Sequence, residues 1–158
     1  SGYGNYTGKY QSTGSYEYTR SYGYSRNYDS SRINRYGSAI GALNSTIDAG
    51  SGDDELSGNT GKDHLEGKRG DDKLHGGDGD DTLIGGSGAD RFVLSTGNDT
   101  ITDFNPEQGD QLAIDPALTL SFQQDGDHLL LLDDTHSIQT TLRNTTLDQL
   151  LTAQPEFA

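Results

Sequence analysis

From Ala49 to Val93 the chain reads AGSGDDELS, GNTGKDHLE, GKRGDDKLH, GGDGDDTLI and GGSGADRFV, which are five consecutive blocks of nine residues. A sixth block, LSTGNDTIT, follows without a break from Leu94 to Thr102. In all six blocks the fourth residue is Gly, the sixth is Asp and the eighth is Leu, Phe or Ile. A fixed period of this kind indicates a repeat architecture.

Each block combines a turn with a short strand. The glycines of the first six residues favour a tight loop, and the last three residues form a strand whose middle side chain points to one face. Two blocks then make one coil of about 18 residues, and stacked coils form two parallel sheets. The predicted fold class is all-β, a parallel β-roll. Its inward column is Leu56, Leu65, Leu74, Leu83, Phe92 and Ile101.

This core is thin, because only one apolar residue in nine points inward. A buried Leu contributes about 1.5–3 kcal/mol, whereas ordering each backbone residue costs about 1–2 kcal/mol. The turns also stack carboxylates: Asp54, Asp72 and Asp90 on one side, and the Asp residues of alternate blocks on the other. Such carboxylates repel one another, and Ca²⁺, which takes about 6–8 oxygen ligands, removes the repulsion. We therefore expect calcium to be part of the fold.

The blocks resemble the RTX, or hemolysin-type calcium-binding, family, whose motif is GGxGxDxUx. The resemblance implies that Ca²⁺ lies between the loop of one block and that of the second-next block, which gives about four inter-loop ions plus end sites. It implies side-chain ligands at the sixth position of every block: Asp54, Asp63, Asp72, Asp81, Asp90 and Asp99. It implies carbonyl ligands from the turns around Gly52, Gly61, Gly70, Gly79 and Gly88. The segment DTITDF (99–104) is similar to the family's closing segment, which adds Asp103 as a further ligand.

Two features depart from the motif. The second position is Asn59 in block two and Lys68 in block three, where Gly is the rule, so these turns are expected to be strained or to bind more weakly. The segment 40–48 has Ile47 at the apolar position but Ser45 where Asp belongs. We interpret it as an unliganded capping coil, so that the roll spans residues 39–104.

Residues 1–38, the arm, have a different composition, rich in Tyr, Gly and Ser. All nine Tyr residues lie here, eight of them at even positions, which an extended strand places on one face. Up to Tyr36 the arm has five basic and two acidic residues, whereas the whole chain has a net charge of −14. Alone, such a segment is typical of a disordered low-complexity arm. If ordered, we expect it to add strands to the open sheet edge of a neighbouring copy, in a head-to-tail filament.

Residues 105–158, the cap, are predicted to close the roll. Strands are expected over 111–115, 119–122, 128–132 and 137–142, with a hairpin turn at QDGD (124–127). Thr146 and Gln149 form a capping-box pattern before a short helix over 147–153. This order of loop, strands and helix resembles the closing module of RTX proteins.

Composition excludes several classes of function. The acidic balance argues against a nucleic-acid partner, the chain has no Cys for disulfides or thiol chemistry, and no run of 18 apolar residues predicts a membrane span. We find no nucleophile elbow and no His-Glu-x-x-His, and His64 and His75 read as surface residues, so we expect no enzyme. The absence of Met indicates a processed or excised chain. Weak calcium sites suit a secreted protein, extracellular or at the cell surface.

Two main hypotheses of function remain. In the first, Ca²⁺ folds the roll, and the arm joins copies into an extracellular fibre, sheath or matrix. In the second, the chain is a calcium-folded secretion or folding module of a larger RTX exoenzyme or toxin. A third is a Ca²⁺-dependent adhesin whose exposed Tyr residues stack on a glycan.

Overall fold

The computed structural model describes residues 7–10, 16–21, 23–27, 36–38, 44 and 46–158, with side chains for residue 44 and from residue 46 onward. The arm contributes four strands: β1 (Thr7–Tyr10), β2 (Tyr16–Ser21), β3 (Gly23–Asn27) and β4 (Tyr36–Ser38). The roll contributes seven strands: β5 (Thr46–Ser51), β6 (Glu55–Ser57), β7 (His64–Arg69), β8 (Lys73–His75), β9 (Thr82–Ser87), β10 (Arg91–Val93) and β11 (Gly97–Ile101). The cap contributes β12 (Gln111–Ala113), β13 (Leu120–Asp125), β14 (His128–Asp133), β15 (Ile138–Leu142) and helix α1 (Leu147–Ala153), with 3₁₀ turns at Pro106–Gln108 and Pro155–Phe157.

The strands form two sheets. Sheet A has ten strands in the order β1-β2-β3-β5-β7-β9-β11-β15-β14-β13, and sheet B has five in the order β12-β10-β8-β6-β4. Within the roll all pairings are parallel, and residues 18 apart are partners, as in Leu56 with Leu74 and Leu65 with Leu83. Two blocks therefore make one coil, and the predicted parallel β-roll is confirmed.

The predicted inward column is the core of the roll. Its members are at most 1% exposed: Leu56, Leu65, Leu74, Leu83, Phe92 and Ile101. Ile47 extends the column toward the arm, and Leu112 extends it into the cap. Phe104 packs edge-on against Phe92, with 6.1 Å between ring centroids. The alternation of one buried and two partly exposed residues per strand follows directly from the period-two geometry of a strand.

The arm pairs with the roll of its own chain. Strand β3 lies parallel to β5, β4 lies parallel to β6, and β1 and β2 continue sheet A as an antiparallel meander. Within one chain β3 and β4 occupy the edges of β5 and β6, and strand addition by the arm to a neighbouring copy stays a prediction. The physical reason is that β5 and β6 otherwise end the sheets with unpaired backbone groups. The side chains of the predicted Tyr face lie outside the described part of the structure, as do residues 40–43 and 45 of the capping coil.

The cap continues both sheets rather than forming a separate layer, and β12 extends sheet B beside β10. Strand β15 lies parallel to β11, and β14 and β13 follow it as an antiparallel hairpin. All four predicted strands are present, although the first spans only Gln111–Ala113. The helix spans Leu147–Ala153 with both hydrogen bonds of the Thr146–Gln149 capping box, so that prediction is confirmed. In the described ranges no helix has the length and apolar character needed to cross a membrane.

Candidate calcium sites in the turns of the roll

Five of the six sixth-position aspartates lie directly before a strand, and Asp99 lies within β11. Asp54, Asp72 and Asp90 precede the strands of sheet B, and the aspartates of alternate blocks lie at the sheet A side. All six predicted ligands are buried, with exposures between 1% and 4%: Asp54, Asp63, Asp72, Asp81, Asp90 and Asp99. Two columns of buried carboxylates therefore run along the roll, as the alternation of blocks predicts.

One oxygen of each carboxylate ties its coil to the previous one. Oδ1 of Asp72 accepts a hydrogen bond from the Asp54 backbone N–H at 2.8 Å, and Oδ1 of Asp90 accepts from the Asp72 N–H at 2.9 Å. In the other column Asp81 accepts from the Asp63 N–H at 2.8 Å, and Asp99 accepts from the Asp81 N–H at 3.0 Å. At these four aspartates Oδ1 therefore makes a structural bond between coils, in which Oδ2 takes no part.

The second oxygen is without a protein partner at three aspartates. Oδ2 of Asp72, Asp81 and Asp90 is buried and makes no hydrogen bond. A buried carboxylate oxygen in this state carries a desolvation cost of about 1–3 kcal/mol or more. Asp99 differs, because Ser95 Oγ donates to its Oδ2 at 2.9 Å. The three open oxygens are the positions at which this fold lacks a positive charge.

Glycines at the first position of blocks two to five make room for these oxygens. A Cβ on Gly67 would lie 2.3 Å from Oδ2 of Asp72, and a Cβ on Gly85 would lie 2.3 Å from Oδ2 of Asp90. These distances are far inside van der Waals contact, so any side chain at these positions would fill the space beside the carboxylate. The Gly-Gly pair of the motif therefore has a steric reason besides its turn geometry.

The predicted carbonyl donors also stack in columns. Gly52, Gly61, Gly70, Gly79 and Gly88 all have φ between 114° and 132°. The carbonyl oxygen of Gly61 would lie 1.9 Å from a Cβ on Gly79, and that of Gly70 would lie 2.0 Å from a Cβ on Gly88. Turn carbonyls of successive coils therefore repeat every 18 residues beside the aspartate columns. Their role as calcium ligands stays a prediction.

The two departures from the motif adopt the backbone that glycine would. Asn59 has φ 71° and Lys68 has φ 83°, against 101° and 102° for Gly77 and Gly86 in the equivalent positions. Left-handed backbone costs an L-residue about 1–2 kcal/mol. The expected strain in turns two and three is therefore present.

Electrostatics favour a bound cation. Burial raises the pKa of Asp90 and Asp99 from 3.8 to about 7, and that of Asp72 to about 6. Burial also raises the pKa of Asp81. In each case neighbouring aspartates add to the rise. Ionised carboxylates in these turns therefore cost free energy at neutral pH unless a positive charge compensates them.

Asp103 has a definite structural role. Its two oxygens accept from the backbone N–H groups of Gly85 and Gly86, at 2.9 Å and 2.7 Å. Both oxygens therefore hold the Gly-Gly turn of block five. Its additional role as an ion ligand stays a prediction.

Sequence analysis missed Asp110, which continues one column into the cap. Its side chain is 3% exposed; Oδ1 accepts from the Asp90 N–H at 2.9 Å and Oδ2 from the Asn105 N–H at 2.8 Å. The sequence does contain a signal for Asp110, because Asp110-Gln111-Leu112 repeats the Asp-x-Leu pattern of a block. As in a block, the strand after the aspartate, β12, lies parallel to the strand of the coil before it, β10. It falls 11 rather than nine residues after Asp99, so a fixed period does not find it.

A second set of aspartates at the fifth position was also missed. Asp53 accepts from the Asp71 N–H, Asp71 from the Ala89 N–H, and Asp80 from the Asn98 N–H. These bonds run from one coil to the next, opposite in direction to those of the buried columns. Adjacent coils are thus joined in both directions, by buried aspartates in one direction and by exposed aspartates in the other.

The donor set fits a hard cation bound largely by oxygen. In the described parts of the chain no three His, Cys, Asp or Glu side chains come together as a metal cluster. Any site in the turns therefore combines one or two carboxylates with backbone carbonyls, a donor set that suits Ca²⁺ and not Zn²⁺. His64 and His75 are half-buried beside the turns.

Comparison with known protein families agrees with this description of the repeats. The RTX calcium-binding nonapeptide repeat family matches residues 41–74 and 66–101. A solved structure that is similar to the chain is the solution structure of the AlgE6R3 subunit from the Azotobacter vinelandii mannuronan C5-epimerase. That match has 27% identity, covers 72% of each chain and has a TM-score of 0.42. No curated protein matches the chain. The nonapeptide repeats of this chain belong to the RTX calcium-binding family.

Proposed function

We propose that this chain is a secreted calcium-binding structural protein. Ca²⁺ stabilises the folded roll, and the arm joins copies into an extracellular fibre, sheath or matrix. The observation that carries the calcium part is the set of buried oxygens without a partner, Oδ2 of Asp72, Asp81 and Asp90. When bound, Ca²⁺ supplies the positive charge that these turns lack. The three aspartates are the residues that hold it.

Two observations support assembly through the arm. The arm up to Tyr36 has five basic and two acidic residues, whereas the cap has nine acidic residues and one basic residue. The arm also forms strands that extend sheet A beyond the roll. A basic segment with strand edges is complementary to an acidic body that also ends in strand edges. We expect no catalytic activity.

The experiment is size measurement by light scattering in Ca²⁺ and in EDTA, with negative-stain microscopy of the same samples. The proposal expects long regular filaments in Ca²⁺ that dissolve in EDTA. Deletion of residues 1–36 should abolish assembly and leave calcium binding intact. Filaments formed by the truncated chain would contradict the role of the arm.

The second candidate is a calcium-folded secretion or folding module of a larger RTX exoenzyme or toxin. The cap favours it in one respect, because the Gln154 side chain closes the edge of β12: it accepts from the Leu112 N–H at 2.7 Å and donates to the Leu112 carbonyl at 3.0 Å. A closed sheet edge is expected where a solenoid ends. This candidate predicts a monomer that folds in Ca²⁺ and does not polymerise. An adhesin would instead bind a glycan through exposed Tyr residues.

A further inference from the structure

Sheet A has an open edge at each end of the molecule. Among the described strands, β1 pairs only with β2 and β13 pairs only with β14. Sheet B differs, because one of its two edges, that of β12, is closed by Gln154. A strand edge with unpaired N–H and C=O groups is a template for another strand. Of the two sheets that the described strands form, only sheet A can therefore be continued in both directions.

The two open strands run in the same direction. Strand β1 is antiparallel to β2, β2 is antiparallel to β3, and β3 is parallel to the roll strand β5. At the other end β15 is parallel to β11, β14 is antiparallel to β15, and β13 is antiparallel to β14. Both β1 and β13 therefore run with the roll strands. When copies are stacked by simple translation, β1 meets β13 as a parallel pair.

The β13 edge lacks the usual protection against strand addition. Natural edge strands are protected by Lys, Pro or bulges, and Leu120–Asp125 (LSFQQD) contains no Lys, Arg or Pro. Ser121 and Gln123 are exposed on it. The charges are complementary, because β1 carries Lys9 and belongs to the basic arm, whereas β13 carries Asp125 and belongs to the acidic cap. The occupant that fits this edge is the arm of a second copy.

We infer that β1 of one copy pairs in parallel with the outer edge of β13 of the next copy. This inference rests on the proposed function and names the surfaces that carry it. The contact is between two different surfaces and does not close on itself, so it produces a polar filament. Sheet A then runs through the filament with ten strands per copy. At a strand spacing of about 4.8 Å, the axial repeat is about 48 Å.

The test uses two variants of the full chain and one truncation. Gln123→Lys places a charge on the β13 edge, and Gln111→Lys is the matched control, because Gln111 is an exposed strand residue in sheet B. Deletion of residues 1–15 removes β1 and leaves β2, which runs in the opposite direction, as the edge strand. Circular dichroism in Ca²⁺ establishes that each variant is folded before assembly is measured.

In Ca²⁺ we expect Gln111→Lys to form filaments with an axial repeat of about 48 Å. Gln123→Lys should remain monomeric, as should the truncated chain. A mixture of those two should form dimers and nothing larger, because one retains β1 and the other retains an unmodified β13 edge. Mass photometry measures the species, and fibre diffraction or electron cryomicroscopy measures the repeat.

The outcomes separate this inference from the proposed function. If Gln123→Lys polymerises like the unmodified chain, or if the repeat differs from about 48 Å, then the β1–β13 junction is wrong and the filament uses another surface. If the unmodified chain forms no filament in Ca²⁺, then the proposed assembly and this junction are both overturned. If the mixture stays monomeric while the unmodified chain polymerises, the heterologous pairing is overturned alone.

Discussion

Asp90 in the roll and Asp133 in the cap are both 1% exposed, yet their carboxylates are in opposite situations. Asp90 has one oxygen without a partner, and burial raises its pKa to about 7. Asp133 accepts hydrogen bonds from the hydroxyl groups of Thr135 and Ser137 and from the Ile138 N–H. The bonds from Thr135 lead these effects, which lower its pKa to about 2.

The difference shows what each region needs in order to fold. The cap provides the donors for its own buried charge and contains a compact apolar cluster around Leu129, Leu131, Leu142 and Leu150. The roll buries one apolar residue per nine and leaves carboxylates uncompensated. Asp133 in the cap is therefore satisfied by protein donors alone, whereas Asp72, Asp81 and Asp90 in the roll each keep one oxygen that we expect a cation to satisfy.

The largest loss of stability is expected when a side chain is added in a turn of the roll where successive coils are in close contact. Gly79→Ala places a Cβ 1.9 Å from the Gly61 carbonyl oxygen at φ 132°, whereas Gly126 in the cap hairpin has φ 58° and open space around it. We expect Gly79→Ala to lower the free energy of unfolding by at least about 3 kcal/mol. Gly126→Ala should cost about 1–2 kcal/mol. Urea unfolding in Ca²⁺ measures both, and equal losses would contradict the close stacking of the coils.

The next largest effect distinguishes Asp90 in the roll from Asp133 in the cap by its dependence on calcium. In Ca²⁺, Asp90→Asn should lose about 2–3 kcal/mol of stability, because a ligand bound at about 100 times its Kd contributes about 2.7 kcal/mol. In EDTA the same variant should be as stable as the unmodified chain or more stable, because it removes an uncompensated buried charge. Thermal unfolding in both conditions measures the reversal.

Asp133→Asn is the matched control. It should lose stability equally in Ca²⁺ and in EDTA, because its partners are protein hydroxyl and N–H groups. A calcium-dependent loss at Asp133, or a calcium-independent loss at Asp90, would remove the contrast between the two regions.

These contrasts follow only in part from the sequence. The period of nine predicts the strand register, the inward column and the buried aspartates. Each of these depends only on a residue's position within its block and on the block that stacks on it, two blocks along the chain. The helix at Leu147–Ala153 was predictable because its capping box is local. Asp110 was missed because an insertion of two residues breaks the period.

The remaining features depend on tertiary contacts that the sequence pattern does not encode. The N–H groups that donate to Asp103 come from a turn 17 and 18 residues earlier. Gln154 closes an edge 42 residues away. The pairing of β3 and β4 within the same chain depends on which strand edges are open after the roll has formed. Neither composition nor periodicity distinguishes that edge from the edge of a neighbouring copy.

A smaller effect is expected from pH in the absence of calcium. The pKa of Asp72, Asp90 and Asp99 is about 6 to 7 in the folded roll, against 3.8 ordinarily. A raised folded-state pKa adds stability that is fully present below pH 3.8 and is lost as the pH rises through 6 to 7. In EDTA the roll should therefore become more stable as the pH falls from about 8 to about 4.

Asp133 has the opposite sign, since its lowered pKa gives stability that is lost only as the pH falls from 3.8 toward 2. Circular dichroism at stepped pH in EDTA measures the change. The Asp90→Asn variant should show a shallower dependence, and an unchanged slope would show that the buried aspartates are not its source.

The smallest effect concerns the two turns that depart from the motif. Asn59→Gly relieves a left-handed backbone at φ 71° but loses the Asn59 acceptor of the Ser57 hydroxyl at 3.3 Å. We expect a net change below about 1 kcal/mol, with a small gain in calcium affinity at that turn. Isothermal titration calorimetry measures the affinity, and a large loss would show that Asn59 is required rather than tolerated.

Hydrogen exchange, followed by mass spectrometry of peptides in Ca²⁺ and in EDTA, tests most directly whether the roll requires a cation. In Ca²⁺ the amides of residues 46–104 and of the cap should both be protected. In EDTA the account predicts that the roll loses protection while helix α1 and the β13–β14 hairpin keep more of theirs. A roll that stays equally protected in EDTA would contradict the claim that calcium completes the fold.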